Sequence, residues 1–312
     1  MRIFRSLDDV QRDDNCILTT GTFDGVHLGH QSIIKTLHKS VSHQNECVTI
    51  VTFEPHPQFV VKPPQKNNLR LLTTIEEKIS ILESLNIDRL IVLTFDEKLA
   101  QLSSQKFIEN ILVTRIGFKK IIIGYDHAFG KDRQGNYEIL QRLSKKYNYS
   151  IIVLPALSVD DVIISSTQIR QLLSSGDVEL AAKYLGRNYR LTGKVIKGEG
   201  RGRSLNIPTA NLKPISTEKL IPEDGIYAVW ARIERQQFKA VLYIGFKPTF
   251  AFKHRAIELH IFNFFGDLYG QIIEIEFKAK IRDDYHFDNV GKLIEQIEND
   301  KQKTLTILTN EY

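Results

Sequence analysis

The spacing of apolar residues changes once along this chain, near residue 185, and that change constrains the architecture more than any other feature. Up to that point short β-branched runs, at 16–20, 47–53, 89–95, 120–125 and 150–155, alternate with helical patterns near 30–42, 74–85, 104–116 and 136–146. Strand and helix repeating at this interval predict right-handed crossovers and a parallel sheet covered on both faces, a doubly wound α/β domain. Two further helical stretches, 166–174 and 178–185, end the pattern. Beyond them the runs 190–196, 225–234, 238–245, 256–264 and 271–282 follow one another without helices, with a hairpin signal at 265–267. They predict an antiparallel β-barrel, or as the alternative a sandwich, closed by an amphipathic helix over 287–308. The expected domains are 1–185 and 186–312.

The charge balance, 42 Lys and Arg against 37 Asp and Glu, is mildly basic. It suits a phosphorylated ligand at least as well as DNA, so charge alone does not choose. Cys16 and Cys47 both fall in apolar runs, which reads as two small buried hydrophobes rather than a disulfide or a metal site, and predicts a reducing compartment. The opening residues lack an apolar leader, and no stretch approaches the roughly 18 apolar residues of a membrane span. A cytoplasmic protein without a membrane partner is expected.

The first strand runs into Gly21-Thr22-Phe23-Asp24-Gly25-Val26-His27-Leu28-Gly29-His30 and then an apolar-periodic helix. In an open parallel sheet this loop sits at the carboxyl edge, where the next helix points its free N–H groups, and phosphate is the natural occupant. The glycines let the backbone approach a ligand closely, and imidazoles three residues apart can donate to one phosphate group. The same residues also read as a turn capped by Asp24 with two surface histidines, or as half a zinc site. Later, Ser166, Thr167 and Arg170 open a helix with hydroxyls and a guanidinium that suit a polyphosphate, although Ser165 and Gln168 also satisfy a capping box.

In the second half, Gly198-Glu199-Gly200-Arg201-Gly202-Arg203 makes a loop whose backbone can wrap phosphate, or a basic loop that touches RNA. The Thr209 and Asn211 oxygens suit a hard cation such as Mg²⁺. Along 257–261, strand alternation sends Ile257, Leu259 and Ile261 to one face and Glu258 with His260 to the other. Glu258 is thus displayed beside the barrel, or simply forms part of a polar stripe.

These segments resemble, in register, the motifs of bacterial bifunctional riboflavin kinase/FAD synthetases. Residues 21–30 are similar to the GxFDGxHxGH signature of nucleotidylyltransferases, 52–57 to TFxPHP, 124–130 to a G-x-D/N-F-x-FG segment and 164–170 to ISSTxIR. Residues 198–211 are similar to the kinase motif GRGRxLGFPTAN, and 257–261 to its E-x-H strand. The departures are His127 for Phe, Asn206 for Gly, Tyr243 for Asn and Asn263 for Asp.

The resemblance implies a nucleotidylyltransferase Rossmann-like first domain in which an FMN phosphate oxygen attacks the α-phosphorus of ATP. His27 and His30 would stabilise charge there, with Gly21, Phe23, Asp24, Gly29 and Asp126 around the ligands and Ser166, Thr167 and Arg170 on the leaving pyrophosphate. In the second domain Gly198, Arg201, Gly202, Arg203, Pro208, Thr209 and Asn211 would bind ATP, Thr209 and Asn211 with Mg²⁺. Glu258 would be the general base that activates riboflavin. The expected partners are riboflavin, FMN and ATP, with no nucleic acid and no membrane. A relative keeping one of the two activities, or a non-enzymatic flavin- or RNA-binding regulator, is the alternative; the latter has no need of Glu258 or the paired histidines.

Overall fold

The computed structural model describes residues 1–62, 68–125, 137–198, 208–248, 253–285, 287 and 289–309. The chain divides into two compact units, Met1–Ser166 and Thr167–Tyr312.

The first unit is built on six strands: β1 (Arg2–Phe4), β2 (Cys16–Thr20), β3 (Cys47–Glu54), β4 (Arg89–Thr94), β5 (Lys120–Gly124) and β6 (Ser150–Leu154). All pair in parallel, in the order β1-β4-β3-β2-β5-β6. Each central strand is apolar on both faces because each face is covered. Leu18, Ile91 and Ile121 pack with Phe107, Leu112 and Leu140, while Ile17, Leu90 and Ile122 pack on the opposite side with Ile34, Leu37 and Leu82. Strand order reverses between β2 and β5, which places the ligand crevice of such a sheet at their carboxyl ends.

Three features of this unit depart from the sequence reading. The edge strand β1 was not expected: it is three residues long and has no apolar periodicity. The helix expected over 104–116 is π-type from Phe107 to Ile116, ending at Gly117 with φ 77°, where a Cβ would lie 2.9 Å from both Arg12 Cγ and Asp14 Oδ1. The third departure is a correction. Cys16 and Cys47 are register partners on adjacent strands, 4.7 Å apart at Cα, and are joined as a disulfide. Local pattern puts each in an apolar run, but only the pairing of β2 with β3 brings them together.

The second unit is a closed antiparallel barrel. Its strands are β9 (Arg190–Ile196), β10 (Ala210–Pro214), β11 (Gly225–Ile233), β12 (Gln236–Pro248), β13 (Lys253–Ile261) and β14 (Ile272–Arg282), following a short hairpin, β7 (Ser158–Val159) and β8 (Val162–Ile163), that precedes this unit. The closed order is β10-β13-β12-β11-β14-β9. Alternation sends Ile257, Leu259, Leu242, Ile244, Ile273, Ile275 and Phe277 into the interior. Buried Tyr227 meets Phe277 edge-on at 5.3 Å and donates its hydroxyl to the Glu223 carbonyl, so its one polar group is satisfied. Sequence reading placed no strand between 196 and 225 and so missed β10, whose five residues are only partly apolar.

The closing helix Val290–Thr309 is fastened to the barrel by charge. Arg282, the last residue of β14, makes a bidentate pair with the buried Asp300, and Gln296 donates to the same carboxylate. The Tyr285 ring lies 4.5 Å from the guanidinium, covering it. Truncating the barrel core at Phe277→Ala is expected to lower the stability of the second unit by about 3–5 kcal/mol, because the surrounding strands cannot collapse into the space; urea unfolding followed by far-UV circular dichroism reads it.

Candidate functional site

In the first unit, the turn after β2 holds Phe23, Gly25 and Val26 at φ 49°, 82° and 39°. Positive φ at a β-branched residue is costly and needs outside support. Asp24 supplies it. Its buried carboxylate accepts from the N–H of Leu72 at 3.0 Å and of Thr73 at 3.0 Å and from the Thr73 hydroxyl at 3.3 Å, while Thr73 Oγ1 accepts from the Gly25 N–H. From below, the Thr22 carbonyl accepts from the Thr52 hydroxyl at 3.1 Å and from the Lys78 ammonium at 2.8 Å. Burial pushes the Lys78 pKa down, against the charges of Asp24 and Glu54, which pull it up.

The two imidazoles come together at the head of the helix Leu28–Lys39. His27, not Asp24, caps that helix: its Nδ1 accepts from the His30 N–H at 3.4 Å, which leaves its proton on Nε2. The rings stack with centroids 3.8 Å apart. Gly29 makes room, since a Cβ there would lie 3.0 Å from His27 Cε1. Phe23 is buried and its ring stands 4.9 Å from His30; Gly21 donates its N–H to the Val51 carbonyl. Ser166 donates its hydroxyl to the Asp24 carbonyl at 2.9 Å, tying the start of the helix Ser166–Ser174 to this loop. Thr167 and Arg170 follow in that helix, within the second unit. Helix-head N–H groups beside stacked imidazoles form a place for a phosphate group. Asp126 and His127 lie outside the described residues.

On the barrel, Glu258 stands in a row with Asn211 and Tyr243, its register partners on β10 and β12. All three share the outer face, because their neighbours Ile257 and Leu259 point inward. The Thr209 hydroxyl lies 3.5 Å from the Glu258 carboxylate, and Gly198 is so close to Asn211 that a Cβ would fall 2.0 Å from its Nδ2. The Tyr243 hydroxyl donates to Asp284 at 3.0 Å, pinning the segment after β14 beside this row. Burial foremost, with the Asp284 and Glu258 charges, raises the Tyr243 pKa. A cavity of about 320 Å³ opens alongside, lined by Gly198, Pro208, Thr209 and Asn211 on one side and by Phe264 and Tyr269 on the other. Arg201, Gly202, Arg203 and Asn206 lie outside the described residues.

Sequence reasoning missed Thr73, Lys78 and the Tyr243–Asp284 bond. Lys78 left a signal: with Ile75, Ile79 and Leu82 it shares the apolar face of the helix Ile75–Ser84, where a lysine needs a buried acceptor. Thr73 and Asp284 left none, since each acts on a residue more than 40 positions away.

Lys78→Met leaves the Thr22 carbonyl short of a donor and is expected to destabilise the first unit by about 1–3 kcal/mol, read from its urea midpoint. A pH dependence follows from His260, whose ring N–H donates to the Pro208 carbonyl and whose pKa burial depresses below 6.5. The unfolded chain binds this proton more readily, so barrel stability falls as pH drops below about 6.5, and His260→Gln removes that part of the slope in pH-dependent urea unfolding.

Comparison with known proteins joins the two units. The FAD synthetase family profile matches residues 9–168 and the riboflavin kinase profile residues 185–308. A protein of Buchnera aphidicola from Schizaphis graminum, named bifunctional riboflavin kinase/FMN adenylyltransferase, is 39% identical over 306 residues, 96% of each chain. The protein of the same name from Bacillus subtilis is 35% identical over 298 residues, covering 94% of this chain and 93% of its own. A solved chain from Streptococcus pneumoniae, described as a macrolide-efflux protein, is 28% identical with a TM-score of 0.87, covering 97% of this chain and 98% of its own. Among the described residues no helix is long and apolar enough to cross a membrane. Two matching profiles and relatives alike from end to end place this chain in the bifunctional riboflavin kinase/FMN adenylyltransferase family.

Proposed function

We propose that the chain makes FAD from riboflavin in two ATP-dependent transfers, with Glu258 the base of the first and His27 and His30 the charge-stabilising pair of the second. The observation that carries the assignment is Glu258 itself: a half-buried carboxylate on the barrel's outer face, between Asn211 and Tyr243 in register and with the Thr209 hydroxyl 3.5 Å away.

In the kinase step the terminal ribityl hydroxyl attacks the γ-phosphorus of ATP, Glu258 takes its proton, and ADP leaves. Gly198, Pro208, Thr209 and Asn211 line the phosphate side, with Arg201, Gly202 and Arg203 assigned there from the motif. The oxygens of Thr209 and Asn211 are a hard donor set that fits Mg²⁺, which would neutralise phosphate charge when bound. In the adenylylation step an FMN phosphate oxygen attacks the α-phosphorus of ATP and pyrophosphate carries away the bonding pair. Phosphate is already an anion, so no protein nucleophile is required; the residues align it and stabilise charge. His27 and His30 serve the reacting phosphate, and Ser166, Thr167 and Arg170 the leaving group. Gly21, Gly29, Phe23 and Asp24 shape the loop, Asp24 by holding it. Riboflavin, FMN and ATP are the partners, in the cytoplasm where ATP is supplied.

Incubation with riboflavin, ATP and Mg²⁺, resolved by chromatography over time, tests both assignments. Riboflavin falls, FMN passes through a maximum and FAD accumulates. Glu258→Gln is expected to slow FMN formation by roughly 10²–10⁴-fold while added FMN is still converted to FAD. His30→Ala gives the converse, FMN accumulating with adenylylation slowed roughly 10²–10³-fold. Riboflavin phosphorylation undiminished in Glu258→Gln removes the kinase assignment.

A further inference from the structure

The chemistry above leaves one cluster unused, at the amino ends of the first unit's strands, opposite the phosphate loop. Cys16 and Cys47, joined sulfur to sulfur, begin β2 and β3. Arg89, the first residue of β4, is buried and places Nη1 2.9 Å from Cys16 Sγ and 3.9 Å from Cys47 Sγ. Asp13 Oδ2 lies 3.6 Å from Cys47 Sγ and 3.9 Å from the guanidinium. Arg89 is held in place by a bond from Nη2 to the Gln11 carbonyl at 2.9 Å, with the Phe4 ring 5.4 Å away.

Two chemistries suit such a group. Asp13 and the two sulfurs lie within 4.8 Å of one another, close enough to ligate a soft cation. Arg89 decides against that, because a fixed positive charge already sits against the sulfurs where a cation would bind. A guanidinium at this distance favours thiolate instead. We propose that Cys16 and Cys47 are a reversible redox site, exchanging between a disulfide and an Arg89-stabilised dithiol by reaction with low-molecular-weight thiols and their disulfides.

The difference in burial of the two residues gives the direction of attack. Cys16 is fully buried and Cys47 is partly exposed, so an incoming thiolate reaches Cys47 Sγ. The Cys16–Cys47 bond breaks, its electron pair goes to Cys16 Sγ, and Arg89 stabilises that leaving thiolate. A second small thiol then attacks the mixed disulfide on Cys47, releasing Cys47 and the small disulfide. The protein gains two electrons and two protons, and two small thiols are oxidised to one disulfide. Oxidation runs the same steps backwards. The bond joins residues 31 positions apart and encloses the whole of Gly21–His30 and the helix Leu28–Lys39. Its redox state therefore sets the chain entropy of the segment that carries the paired histidines. Among reduced thiols a disulfide is ordinarily transient, which is the behaviour the cluster is built for.

The test equilibrates the full-length protein, without denaturant, in glutathione buffers of graded ratio, then quenches with acid, alkylates and weighs it. The expected result is one two-electron transition, from no trapped thiol to two, that reverses when the ratio is reversed, with a lower thermal midpoint for the reduced form. Arg89→Gln is expected to slow reduction by about tenfold and Arg89→Lys to restore most of the rate, since the leaving thiolate needs only a positive charge. Should Arg89→Gln fail to fold, the wild-type transition and Arg89→Lys still decide the matter. Thiols that become trappable only where denaturant unfolds the protein would overturn the proposal, as would a reduced protein that takes up one equivalent of Zn²⁺ through these cysteines, or an Arg89→Gln rate equal to that of the wild type.

Discussion

The phosphate loop is held in a conformation that its own residues disfavour, and Asp24 is what holds it. Val26 and Phe23 at positive φ would relax if the loop stood alone. Three donors from Leu72 and Thr73 converge on one buried carboxylate, and Lys78 and Thr52 grip the adjoining carbonyl. With the turn fixed, the His27 ring is free to cap the helix and lie flat against His30. The histidines proposed to meet phosphate are thus placed by residues outside the loop. An acidic residue inside such a signature reads at first as a ligand contact; here its carboxylate is engaged by Leu72 and Thr73 and works as a bolt.

The two units solve the same problem with different geometry. A parallel sheet offers its carboxyl edge, where a loop and a helix head supply N–H groups from the backbone. A closed barrel has no such edge. It builds instead across strands, and the register of β10, β13 and β12 sets Asn211, Glu258 and Tyr243 side by side on one face. On the function proposed above, the first solution would rely on backbone N–H groups as well as the two imidazoles. The second depends on side chains, and the tyrosine at position 243 fills a place beside Glu258 that the family pattern gives to a smaller residue.

Much of this was legible in the chain because local periodicity is a direct record of which face is buried. The runs at 16–20 and 190–196 became strands over the same residues, and the shift from helical to alternating spacing marked where the barrel begins. What remained hidden depends on residues distant in sequence. Nothing in the neighbourhood of Cys16 announces Cys47, because the pairing of β2 with β3 is settled by the whole sheet. The alternative reading of this loop has Asp24 as a cap, yet Asp24 is drawn off by Leu72 and Thr73, 48 and 49 positions away, and His27 caps the helix Leu28–Lys39. Short elements such as β1 and β10 carry too few residues for any period to show.

The bond between Arg282 and Asp300 has a bearing on how the protein is born. Strand β14 seals the barrel by pairing with both β9 and β11, and its terminal guanidinium is neutralised by a carboxylate 18 positions further along the chain. During synthesis the α/β unit can assemble while translation continues. The barrel waits longer: until the closing helix has left the ribosome, its last strand carries a charge awaiting its partner, so the barrel is completed after the α/β unit that precedes it.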